Sequence, residues 1–244
     1  MSQQATKVRG VADIVFLVDV TGSMDPCISA LRENIGAFIE TLATKDANNS
    51  SPVQDWRGRV IGYRDFIHDK ENWFVNNPFV SDPSALKSQL SALKAEGGGD
   101  EPESLLDALC MVSDFGFTDR GAPSDNLKWR HASEAIRFVV AFTDATYHPK
   151  MSRLVKGEKG ELDDAMNQMI TARIRLSIYA PELPCYDALS ELPKSVYEAI
   201  PLDGRSAQDA LKEFTANKES FKRTLEQLAK SLSHSSFDVE VVAD

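Results

Sequence analysis

"IVFLVDVTGSM", Ile14 to Met24, decides how this chain is read. Ile14–Val18 is a continuous apolar run rather than an alternating one, the pattern of a strand covered on both faces. The run ends on Asp19, and Thr21, Gly22 and Ser23 follow at once. Placing a carboxylate at the end of a buried strand is costly unless something binds there. In an open α/β sheet, the place beyond the carboxyl ends of the strands is where ligands sit.

Moving outward, Ile28, Leu31, Ile35, Phe38, Ile39 and Leu42 share one helical face, with Asp25 and Pro26 expected as N-cap and first turn. "RVIGYRDF" (59–66) reads as a second strand, and "WFVNNPFV" (73–80) as an edge strand interrupted by Pro78. "SDPSALKSQLSALKA" (81–95) predicts a helix capped by Ser81 or Asp82. "GGGDEPES" (97–104) breaks that pattern, and "SLLDALCMVSDF" (104–115) resumes a helix. "AIRFVVAFTDA" (135–145) is the clearest strand after the first. "ELDDAMNQMITARI" (161–174) reads as a helix, and "IRLSIYA" (174–180) and "SVYEAIPL" (195–202) read as strands. Ala207–Ser233 predicts one long amphipathic helix, with Leu211, Phe214, Phe221, Leu225, Leu228 and Leu232 in its stripe. The tail "FDVEVVAD" (237–244) alternates like a short strand.

Strands alternating with helices predict an α/β fold. It is a doubly wound, mostly parallel sheet flanked by helices, with an antiparallel edge strand. No linker divides the chain, so residues 1–244 are expected to form one domain, with a core over about 12–232 and an N-terminal tail, 1–10.

The formal net charge is −10. With no run of Lys or Arg interleaved with aromatics, this argues against nucleic acid and anionic membrane as partners. Cys27, Cys110 and Cys185 are too few and too scattered for a disulfide framework or a zinc site. No signal peptide and no membrane span is read from the sequence, and the expected location is cytoplasmic.

Three segments carry acids and hydroxyls toward one rim: Asp19-Val-Thr21-Gly-Ser23, the loop "GGGDEPES" with Asp100, Glu101 and Glu103, and Thr143-Asp144. Carboxylates and hydroxyls are hard donors that suit Mg²⁺, Ca²⁺ or Mn²⁺ rather than zinc. Gly22 is expected to let the backbone bend around such an ion. Gly97–Gly99 also read as a helix stop, with Asp100 capping the next helix. His68, His131, His148 and His234 form no ligand set, and His148 is placed near Asp144 by sequence alone.

These residues resemble the von Willebrand factor A (vWA) domain and its metal-ion-dependent adhesion site, which begins D-x-S-x-S at the end of the first strand. "DVTGSM" replaces the first serine by Thr21 and keeps the hydroxyl. Asp100 stands where the family has a threonine in its glycine-rich loop, and "FTDA" with Asp144 stands where the family has T-D-G. "IGYRDF" (61–66) and the GGGD loop are similar to the intracellular, alpha-kinase-associated subset of vWA proteins.

The resemblance implies a metal set of Asp19, Thr21, Ser23, Asp100 and Asp144. Gly22, Asp65, Glu101, Glu103 and Thr143 are candidates for supporting that set from behind. It implies Mg²⁺, or alternatively Ca²⁺ or Mn²⁺, and a protein partner whose acidic side chain completes the ion's coordination. That partner would be an AAA+ ATPase, a kinase, a phosphatase or a larger assembly. The expected role is a metal-dependent adaptor or complex subunit without catalytic activity of its own. The alternative is a metal-dependent phosphoester hydrolase, against which stand the absence of a Walker-type loop and of an evident nucleophile with its base.

Overall fold

The computed structural model describes residues 10–43, 53–99, 101–153 and 160–235. The expected N-terminal tail (1–9 of it) and the alternating C-terminal tail lie outside these residues.

The chain order begins with strand β1 (Val11–Asp19), helix α1 (Asp25–Ala43), strand β2 (Asp55–Tyr63), short helix α2 (Phe66–Asp69) and strand β3 (Phe74–Asn76). Helices α3 (Pro83–Ala92) and α4 (Leu105–Ser113) precede strand β4 (Ile136–Phe142). Helix α5 (Leu162–Thr171), strand β5 (Ile174–Pro181), short helix α6 (Asp187–Ser190) and strand β6 (Val196–Ile200) follow. Two helices, α7 (Ala207–Ala216) and α8 (Lys218–Ser235), complete the series. The sheet order is β3-β2-β1-β4-β5-β6. Only β3 runs antiparallel, against β2 at the edge. The doubly wound, mostly parallel α/β sheet with one antiparallel edge strand is therefore present as read.

β1 is central, and both of its faces are buried. Ile14, Phe16 and Val18 join the core under α1, α3, α7 and α8, while Val15 and Leu17 join the core under α4, α5 and α6. This explains the continuous apolar run, because alternate side chains point to opposite and equally dry faces. β2 lies on one side of β1 and β4 on the other, so strand order reverses between β1 and β4. Connections leaving in opposite directions open a crevice at that point, beyond the carboxyl ends of the two strands. Asp19 ends β1, and Thr143-Asp144 directly follows β4.

Two helix expectations are corrected. Asp25 is not an N-cap: it already has helical angles (φ −51°, ψ −42°) and follows a single 3-10 turn at Gly22–Met24. The predicted helix over 207–233 is two helices. Asn217 leaves the helical region (φ −79°, ψ 84°), and its side chain accepts from the Ser220 N–H at 3.1 Å, which starts α8. The apolar stripe crosses the break, so periodicity alone could not show it. Leu211 of α7 and Phe221, Leu225, Leu228 and Leu232 of α8 all reach the same core. α8 lies along α1, and the Phe221 ring meets Phe142 of β4 edge-on at 6.4 Å.

Candidate metal and partner site

The rim is built from β1 outward. The Asp19 carboxylate is completely buried. Its Oδ1 accepts from the Thr21 N–H at 2.9 Å and the Thr21 hydroxyl at 2.7 Å, and its Oδ2 accepts from the Thr143 hydroxyl at 2.9 Å. Every one of these donors is neutral. Burial, and then the charge of Asp144, push Asp19 up to about 7 against an ordinary 3.8. The Asp144 carboxyl is raised too, chiefly by burial, with Glu101 adding repulsion and the Ser23 hydroxyl opposing the rise by hydrogen bonding. Asp144 is 1% exposed, and its Oδ2 has no hydrogen-bond partner. Asp19, Thr21, Ser23, Thr143 and Asp144 are thus brought together, as read from the sequence.

The glycine-rich loop lies over this group, but not in the way the sequence suggested. α3 ends at Ala92, so Gly97–Gly99 are not its stop signal. Instead they lie on α2. The Gly98 N–H donates to Asp69 Oδ2 at 2.9 Å. Gly98 has φ +93°, and a Cβ there would stand 2.5 Å from Thr21 Cγ2 and 2.8 Å from Glu103 Oε1. Only a glycine fits this place. Gly22, which was expected to supply the bend, has no atom within 4 Å of an added Cβ and no positive φ. The steric demand therefore falls on Gly98.

Asp100 lies outside the described residues. Glu101 is exposed, 3.5 Å from the Thr146 hydroxyl. Glu103 is 4% exposed, and its Oε2 lacks a partner. Burial pushes it up to about 9, helped by the charges of Asp19, Asp65, Asp69 and Asp144.

Asp65 caps α2, accepting at Oδ1 from the Ile67 N–H, the Ser104 hydroxyl and, at 3.0 Å, from His148 Nε2. His68 Nε2 stands 3.5 Å from its Oδ2. His148 thus turns to Asp65, although sequence proximity had placed it by Asp144. Asp65 is a hub joining α2, the start of α4 and the loop after β4.

Arg64 is the residue that sequence reasoning undervalued. Its guanidinium is buried and donates to four backbone carbonyls: Glu96 (2.6 Å), Asn72 (2.6 Å), Lys94 (2.9 Å) and Val20 (3.3 Å). The Glu96 N–H also donates to the Val20 carbonyl at 3.0 Å. Arg64 therefore fixes the approach to the glycine-rich loop against the residue preceding Thr21. The only sequence signal was an arginine at the end of an apolar strand.

The donor types gathered at this rim, carboxylates and hydroxyls, are the hard oxygens that a divalent cation prefers. Buried acids lie side by side with no arginine or lysine among the causes that shift Asp19, Asp144 or Glu103. Orphan buried oxygens remain on Asp144 and Glu103, and buried polar atoms are normally satisfied. Among the described residues, no three His, Cys, Asp or Glu side chains form a group that could hold a metal ion. Among the same residues, no helix is long and apolar enough to cross a membrane.

No family model matches the chain. It is 26% identical over 178 residues to the alpha-protein kinase vwkA of Dictyostelium discoideum, a match covering 70% of this chain and 25% of that protein. Among solved structures, the pilus adhesin SpaC of Lactobacillus rhamnosus GG is similar over 91% of this chain and 32% of its own, with a TM-score of 0.48 and 14% identity. That likeness is too loose to bear on function. The chain is a distant relative of vwkA that spans a quarter of that protein's length, and its mixed sheet is consistent with a vWA-like fold.

Proposed function

We propose that the chain is a vWA domain acting as a divalent-metal-dependent protein-interaction module, an adaptor or complex subunit without catalysis of its own. The observation that carries this reading is the Asp144 Oδ2, buried and partnerless beside an equally buried Asp19 that is satisfied only by neutral donors. Asp19 and Asp144 would hold the ion with charge, and Thr21 and Ser23 with neutral oxygens. Mg²⁺ suits so few protein ligands because it keeps several waters, with Ca²⁺ and Mn²⁺ as alternatives. When bound, the ion supplies a positive centre on which a partner's Asp or Glu can close.

The distant relationship to a protein named as an alpha-protein kinase supports a role beside a kinase or a comparable assembly. Cys27, Cys110 and Cys185 form no disulfide, which suits the reducing cytoplasm. Phosphoester hydrolysis is the weaker reading, since a phosphate would enter among Asp19, Glu101, Glu103 and Asp144, which repel it. The test is calorimetric titration with Mg²⁺, followed by partner capture with and without EDTA. Binding of the ion and EDTA-sensitive capture, both lost in Asp19→Asn, are expected. Undiminished capture in EDTA contradicts the reading.

A further inference from the structure

Sulfur is concentrated on one side of the sheet. Four of the six methionines, Met111, Met151, Met166 and Met169, join or pack against the core under α4, α5 and α6, together with Cys110 and Cys185. Two of these side chains point at each other. Cys110 of α4 directs its thiol at Met151, in the connection after β4, and Sγ donates to Sδ at 3.1 Å. Met151 is buried and Cys110 half-buried. The backbone holds the pair in place. Asp107 accepts from the Ser152 N–H at 3.2 Å and the Arg153 N–H at 2.6 Å, and the Met151 N–H donates to the Gly160 carbonyl at 2.7 Å. Residues three apart on a helix share a side, so the carboxylate that docks this connection on α4 also sets Met151 against Cys110. Met111, next in the helix, contacts the Arg153 guanidinium instead.

We propose that Cys110 and Met151 form a two-sulfur site for a soft monovalent cation, Cu(I). Thiolate and thioether are the donors that select this ion, whereas Mg²⁺ and Ca²⁺ take oxygen. Binding is an exchange. The Cys110 S–H bond breaks and its proton leaves to solvent. A Cu–S bond forms to Cys110, and a lone pair of Met151 Sδ completes the coordination. No electron is transferred, and the ion stays Cu(I). A thiol aimed at a thioether already presents both donors to one point, and the unbranched Met151 side chain can turn aside to admit the ion. The site shares no residue with the rim, so its success or failure leaves the reading of the rim untouched.

The experiment is anaerobic titration of the full chain with Cu(I), in competition with a chromophoric Cu(I) chelator. Wild type, Cys110→Ala, Met151→Leu and the control Cys185→Ala are compared, with thermal melts to verify folding. The expected result is one Cu(I) bound by wild type and by Cys185→Ala, none by Cys110→Ala, and an affinity at least tenfold lower in Met151→Leu. X-ray absorption of Cys185→Ala loaded with Cu(I) should show two sulfur neighbours on the metal. Affinity in Met151→Leu within twofold of wild type makes Met151 a gap-filling side chain and overturns the proposal. So does loss of the ion in Cys185→Ala, or no binding by wild type. If Met151→Leu does not melt cooperatively, the absorption spectrum decides, and a single sulfur neighbour overturns the proposal.

Discussion

The two ends of β1 make opposite use of a buried aspartate. Asp13 and Asp19 are both fully buried. They lie on the same face of the strand, about 20 Å apart at the usual rise per residue. Asp13 is neutralised by the chain itself: Arg57 donates through Nε at 2.9 Å and a terminal nitrogen at 2.7 Å, and Arg130 through its backbone N–H and its Nε, each at 2.7 Å. These arginines also hold the long connection before β4, since Arg57 donates to the carbonyls of Asp125 and Lys128. Among the described residues, Asp19 has hydroxyls and an amide and no cation. A buried acid that finds its countercharge within the fold is part of the architecture. A buried acid that does not is the one on which the proposed ion site rests.

The largest expected effect lies at the self-neutralised end. Asp13→Asn leaves Arg57 buried without its countercharge and Arg130 with only the exposed Asp55. It should cost about 3–5 kcal/mol, the usual result of breaking a buried pair from one side, read as a lower midpoint in urea denaturation. Asp19→Asn should do the reverse in metal-free protein, holding or raising the midpoint at pH 8, because it removes a repelled charge. A loss at Asp19 as large as that at Asp13 breaks the contrast between the two ends.

The second effect is that of the ion. Ligand at a hundred times its dissociation constant stabilises a folded protein by about 2.7 kcal/mol. Excess divalent salt should therefore raise the wild-type melting temperature and leave that of Asp19→Asn unmoved.

The third is pH dependence. Asp19 titrates at about 7 in the folded chain and near 3.8 when unfolded. Between those values the folded state holds more protons. Metal-free stability should therefore fall as pH rises from about 4 to about 7, by up to a few kcal/mol from this group. Below that window both states are protonated and Asp19 contributes no slope. Saturating divalent ion should flatten or reverse the fall, as should Asp19→Asn, measured by urea denaturation across the range. A metal-free chain that gains stability over this window breaks the account.

The smallest effects separate two glycines. Gly98→Ala meets Thr21 and a positive φ and should destabilise by more than about 1 kcal/mol while weakening ion affinity. Gly22→Ala meets nothing within 4 Å and should stay within about 0.5 kcal/mol of wild type.

The mostly parallel α/β class was legible because continuous apolar runs mark doubly covered strands, and the rim because polar oxygens stand at their ends. That placed Asp19, Thr21, Ser23 and Asp144 at one rim, while the order of the strands was not read. What sequence could not show was long-range. The break at Asn217 is hidden by a stripe that continues across it. The Arg64 clamp uses backbone carbonyls, which carry no sequence signature. His148 finds Asp65 through a pairing of loops, and Gly98, not Gly22, is the crowded glycine because of what lies against it in space.

The most direct test of the central claim is calorimetric titration of metal-free wild type and Asp19→Asn with Mg²⁺. One ion bound per wild-type chain and none by the variant is expected, with Asp19→Asn at least as stable as wild type before metal is added. No binding by wild type, or equal binding by the two, contradicts it.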